Sequence, residues 1–139
     1  MASIASAVLS ISHDHKKRTA TPVVKTVIKF NELELCQMRA CRGRWFKLKC
    51  ELWSKDTFFN DWSHPFDSTD NLLFTYSDVF FFPDANPSGS ESKVFQVTVG
   101  EGVLDEDSGT DEIYAVVRLY NLTSGQLISK KSNVVSHSF

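Results

Sequence analysis

The stretch Trp45-Phe46-Lys47-Leu48-Lys49-Cys50-Glu51-Leu52-Trp53 decides the fold. Phe46, Leu48, Cys50 and Leu52 are apolar while Lys47, Lys49 and Glu51 alternate with them. This is the period of two that a half-buried strand requires, because successive side chains point to opposite faces. Outward from it, Ile113, Ala115, Val117 and Leu119 repeat the pattern, and Phe95, Val97 and Val99 give a third instance. Residues 23–35 give a fourth, in which the apolar parity slips from Ile28 and Phe30 to Leu33 and Leu35. Such a slip predicts a bulge or turn near Asn31-Glu32. Residues 72–82 are rich in aromatic and β-branched types up to Pro83 and read as one kinked or two short strands. Leu127-Ile128 and Val134-Val135 supply the last apolar pairs. Turn chemistry stands between these runs at Arg42-Gly43, at residues 84–89, at Gly100-Glu101-Gly102 and at Thr123-Ser124-Gly125. The expected fold is all-β: a single antiparallel β-sandwich of seven or eight strands with Greek-key connections.

At 139 residues the chain fits one domain. We read residues 1–20 as an N-terminal arm or edge strand and residues 21–139 as the sandwich. Cys36, Cys41 and Cys50 are odd in number and show no CxxC pair, so neither a disulfide framework nor a zinc motif is indicated. Together with the lack of a basic segment ahead of the small, apolar first eleven residues, this gives a cytoplasmic, reducing setting as the expectation. No apolar run approaches the roughly 20 residues of a membrane-spanning helix. The net charge of −2 conceals an asymmetry. Residues 1–50 carry ten Lys/Arg against three acids, and residues 51–139 carry five against fourteen.

Two charged stretches are candidate sites. Asp105, Asp107 and Asp111 have a 1, 3, 7 spacing between two strand-like runs, and hard cations need several oxygen ligands at once. The stretch is not an EF-hand, whose fifth, sixth and twelfth loop positions are here Gly109, Thr110 and Val116. Asp56 and Asp61 follow the strand ending at Trp53 and complete the candidate metal set. The second stretch is Arg39, Arg42 and Arg44 with Trp45, continuing to Lys47 and Lys49, where interleaved cations and an aromatic ring suit an anion or a partner. His13-x-His15 places two imidazoles on one side of a strand and is read as incidental. No nucleophile elbow, glycine-rich phosphate loop or HExxH is present, so the chain is not expected to be an enzyme.

Residues 45–120 resemble a C2 domain, a β-sandwich whose end loops supply aspartates to Ca²⁺. The resemblance rests on Asp105-Glu106-Asp107 through Asp111-Glu112-Ile113, preceded by the 93–99 strand and by Phe80-Phe81-Phe82, and on Asp61-Trp62-Ser63-His64-Pro65-Phe66 as a stretched first loop. It implies Ca²⁺ held by acidic loops and contact with a membrane surface. Cys50 with Trp53 nearby is similar to the inner strand of an immunoglobulin-like domain, although no later cysteine exists for the inter-sheet disulfide. The function expected is a non-catalytic binding module that presents loops or a strand edge to a protein partner or to itself, without a cofactor and without nucleic acid. The alternative is the Ca²⁺-dependent C2-like module.

Overall fold

The alternating stretches form strands in a computed structural model that describes residues 2–32, 35–36, 46–55, 71–81, 89–105, 110–122 and 125–138. The elements are β1 (Ser3–Asp14), β2 (Thr19–Lys29), β3 (Phe46–Ser54), β4 (Asn71–Thr75), β5 (Val79–Phe81), β6 (Ser90–Gln96), β7 (Val99–Gly100), the helical turn α1 (Glu101–Leu104), β8 (Thr110–Asn121), β9 (Leu127–Lys131) and β10 (Val135–Ser138). They make two antiparallel sheets. One has the order β1-β2-β6 with β7 also on β2; the other has the order β10-β8-β3-β4 with β5 also on β3 and β9 also on β8. The protein is an all-β sandwich.

The described residues form ten strands in seven lanes, in keeping with the seven or eight strands expected, because three lanes are interrupted. β4 and β5 lie end to end on β3, β6 and β7 on β2, and β9 and β10 on β8. The break between β6 and β7 has a chemical cause. Val23 pairs Gln96 and Ala20 pairs Val99 in one continuous register, which puts Pro22 opposite Val97. A proline has no N–H to give to the ladder. Its carbonyl is satisfied instead by the Tyr76 hydroxyl, which donates to it at 2.8 Å. The break between β9 and β10 is a one-residue slip on β8, with Ala115 and Ser132 still bonded at 2.8 Å.

The sequence parity near residue 31 resolves as a turn. β2 ends at Lys29, and Leu35 donates its N–H to the Asn31 carbonyl at 3.1 Å, the reach of one helical turn. The N-terminal segment is the edge strand β1, paired with β2 from Ser3 to Asp14 and bulged at Ala5. In the tight connection to β2, Asp14 accepts the N–H groups of Lys16 and Lys17, and Arg18 takes a left-handed φ of 53°.

The core lies between the sheets. Ile4, Leu9, Val24, Ile28 and Phe95 from the first sheet meet Phe46, Leu48, Cys50, Leu52, Ile113, Val117 and Leu119 from the second, and Leu104 of α1 closes one end. Each such side chain contributes about 1.5–3 kcal/mol on burial. Along one side the sheets are stitched together. Asn133, at the slip between β9 and β10, accepts the Leu9 N–H through Oδ1 at 2.8 Å and donates through Nδ2 to the Leu9 carbonyl at 3.0 Å. The carboxamide stands where a neighbouring strand's peptide would, and so blocks pairing at that point of the β1 edge.

Candidate functional site

Two features have chemistry beyond packing: a histidine cluster at one end of the sandwich, and the outer face of the six-stranded sheet. The cluster follows from strand parity. On β1 the inward positions run Ala7, Leu9, Ile11 and His13, so the last of them sends an imidazole into the inter-sheet space, with its side chain only 2% exposed. On β10 the inward positions are Val135 and His137, and His137 pairs with Asp111 of β8, which is 1% exposed. Residues directly opposite on an antiparallel pair share a face, with Cβ atoms about 4.5–5.5 Å apart. The fourth group comes from α1, whose Glu101 N–H bonds the Arg18 carbonyl at 2.9 Å and so ties this turn to the β1–β2 connection.

These elements assemble a line of groups. His13 Nε2 is 2.8 Å from Glu101 Oε2, and His13 Nδ1 is 3.0 Å from His137 Nε2. A carboxylate oxygen accepts, so Glu101 Oε2 accepts the hydrogen bond that His13 Nε2–H donates. In a neutral His13 ring, Nδ1 is then the acceptor and His137 Nε2–H the donor. His15 adds a third imidazole, its ring centroid 4.0 Å from that of His13. The cluster opens on a cleft of about 730 Å³ whose lining includes His13, His15, Lys16, Lys17, Thr21 and Thr98. Thr21 and Thr98 share a hydroxyl hydrogen bond of 2.9 Å on its wall.

The outer face of the six-stranded sheet is a grid. Its rows, read from the strand registers, are Leu127, Tyr120, Lys47 and Phe80; then Ser129, Arg118 and Lys49; then Lys131, Val116, Glu51 and Thr75; then Tyr114, Trp53 and Leu72. Lys47 Nζ lies 4.5 Å from the centre of the Tyr120 ring, and Lys131 Nζ lies 5.2 Å from that of Tyr114. Arg118 pairs with Glu51. Among the described residues Lys47, Lys49, Arg118 and Lys131 thus share these rows with the carboxylate Glu51; Glu112, of the same parity as Tyr114 on β8, stands one row further on beside Lys55, and Asp78 stands at the rim beside β5. Leu127, Leu72 and Phe80 expose apolar surface at its borders. The lysine stems cover the rings beneath them while their ammonium groups reach water.

The residues singled out from the sequence fall in different places. Asp105 is exposed at the end of α1, its N–H bonded to the Glu101 carbonyl at 2.9 Å, whereas Asp111 is turned into the sandwich beside His137. Asp56, Asp61, Asp107, Arg39, Arg42, Arg44 and Trp45 lie outside the described residues. Lys47 and Lys49 sit on the sheet face. Sequence reasoning missed His137 and Glu101, which are remote from His13 in the chain. It also missed Tyr114, Arg118 and Tyr120, although the alternation already read at 113–119 places them together on the opposite face. No helix among the described residues is long and apolar enough to cross a membrane. No protein-family model matches the chain, and no curated protein matches it.

Proposed function

We propose that the protein is a non-catalytic binding module whose recognition surface is the outer face of the six-stranded sheet, and that its partner is an acidic protein segment carrying apolar side chains. The observation that carries this reading is the grid itself: four cations interleaved with Tyr120 and Trp53 beside the buried Tyr114, and bordered by Leu72, Phe80 and Leu127. An ordinary solvated sheet face alternates charges of both signs and carries few rings; the rows from Lys47 to Glu51 set four cations against one carboxylate beside aromatic surface. Carboxylates of the partner would meet Lys47, Lys49 and Lys131, and its apolar side chains the rings and the exposed borders, which is the complementarity that steers association and fixes register. Glu51, Tyr114 and Val116 are themselves buried, so the partner meets the half-buried Lys47, Lys49, Trp53, Arg118 and Tyr120 and the exposed Lys131, whose spacing the strands fix.

The reading is tested with two fluorescent peptide pools of equal length, one rich in Glu, Asp, Leu and Phe and the other with Lys and Arg in place of the acids. The acidic pool should bind, with affinity falling as salt rises, and Lys47→Glu with Lys49→Glu should lower that affinity at least tenfold. Equal binding of both pools, or an unchanged affinity in the double variant, would remove the sheet face as the recognition surface.

A further inference from the structure

We propose that the cleft beside the β1–β2 connection binds a small phosphorylated sugar or polyol, with Lys16 and Lys17 as the charges that meet its phosphate monoester. The cleft has a volume of about 730 Å³, and Lys16, Lys17, His15, Thr21 and Thr98 help to line it. Small-molecule pockets run to about 300–1,000 Å³. The space therefore exceeds what a bare inorganic anion fills and has room for a phosphate with a sugar-sized body attached.

Positive charge is concentrated there and lacks a partner. Lys16, Lys17 and Arg18 are consecutive and exposed, and among the described residues none of them forms an ion pair. The nearby carboxylates are engaged with other groups. Asp14, which also lines the cleft, accepts the backbone N–H groups of Lys16 and Lys17 through Oδ1 at 3.1 and 3.2 Å, and Glu101 accepts from the buried His13 at 2.8 Å. Residues 14–18 carry three cations against one carboxylate, a net charge of +2 with His15 neutral, and Glu101 lowers it only to +1. An ammonium group meets phosphate as a point charge with three donors. The backbone beneath the lysines is already set, by the Asp14 bonds and by the Arg18 carbonyl, which accepts the Glu101 N–H at 2.9 Å, so less of the turn has to be ordered on binding. The wall adds hydroxyl groups. Thr21 Oγ1 and Thr98 Oγ1 lie 2.9 Å apart, and a single O–H makes that bond, which leaves the pair a second O–H for an acceptor on the ligand and lone pairs for its hydroxyls. His15, its ring 4.0 Å from that of His13, contributes a further N–H donor. Cations with hydroxyls and an imidazole fit a phosphate on a polyhydroxylated body better than an apolar ligand.

The test is calorimetric titration of the untagged full chain with glucose 6-phosphate, inorganic phosphate and glucose as probes. Glucose 6-phosphate should bind saturably at one equivalent, inorganic phosphate several-fold more weakly, and glucose without measurable heat. Lys16→Gln with Lys17→Gln, at exposed positions that leave the fold intact, should weaken glucose 6-phosphate at least tenfold, and Thr98→Val should weaken it several-fold. Lys47→Glu with Lys49→Glu should leave this binding unchanged, so that the cleft and the sheet face stand or fall separately. Phosphatidylcholine vesicles containing phosphatidylinositol 4-phosphate, which offer the same group on a lipid, should sediment no more protein than phosphatidylcholine alone. The proposal is overturned by no saturable binding of glucose 6-phosphate up to millimolar concentration, by equal affinity for inorganic phosphate, or by unchanged affinity in the Lys16, Lys17 variant. An equal loss in the Lys47, Lys49 variant, or sedimentation with the phosphoinositide vesicles without binding of the soluble compound, overturns it as well.

Discussion

The sandwich interior makes its stability sensitive to alkali through a buried thiol. Cys50 is fully buried between the sheets, and burial raises its pKa from 9.0 to about 12. The folded state therefore holds the proton more tightly than the unfolded one. The associated stability is fully present below pH 9 and is lost as pH climbs from about 9 towards about 12. At pH 10 an unfolded thiol is about nine-tenths ionised and the folded one hardly at all, which costs about 1.4 kcal/mol relative to pH 7. The full shift corresponds to roughly 4 kcal/mol. Cys50→Ala removes the titrating group at a packing cost on the order of 1–2 kcal/mol that does not depend on pH. Urea unfolding under reductant at pH 7 and pH 10 reads the difference: the parent should lose about 1.4 kcal/mol more than Cys50→Ala between the two conditions. Parallel losses in the two proteins would show that Cys50 is not desolvated and would contradict the packing of β3 against the first sheet.

Asn133→Ala removes both hydrogen bonds to Leu9 and should cost about 1–2 kcal/mol, lowering the melting temperature by roughly 3–8 °C. Amide exchange at Leu9 should quicken in the same variant, and an unchanged rate there would refute the stitch between the sheets. Tyr76→Phe leaves the buried Pro22 carbonyl without its donor and should destabilise by about 1–3 kcal/mol in chemical denaturation; a loss below a few tenths would mean that water serves that carbonyl. Since Asp111 is turned inwards while Asp105 is exposed, millimolar Ca²⁺ should leave the melting temperature unchanged. A rise that Asp105→Asn with Asp107→Asn abolishes would instead support the C2-like reading.

Strong amphipathic contrast made some elements legible in the sequence and its lack concealed others. β3 alternates large apolar with charged residues, and β8 keeps Ile113, Ala115, Val117 and Leu119 on one parity, so both are readable at once. β1 is not, because its outward serines and inward alanines are both small and the bulge at Ala5 shifts its parity. The interruption of the β6–β7 lane was hidden because its cause, Pro22, lies on the partner strand. The slip near residue 31 was visible, and the structure chooses the turn over the bulge. For the sites the limit was distance along the chain. His13 is 124 residues from His137 and 88 from Glu101, and only the register of three strands and the placing of α1 bring them together. The sheet face was half visible, since Lys47 and Lys49 were read as an outward face and its aromatic half on β8 was not.

Chemical-shift mapping with the acidic, leucine- and phenylalanine-containing peptide pool tests the recognition surface most directly. The largest perturbations should fall on Lys47, Lys49, Arg118, Tyr120, Ser129 and Lys131, in three adjacent strands of one sheet. Perturbations concentrated on the outward residues of β1 and β2, or confined to the residues around His13 and Asp105, would contradict it.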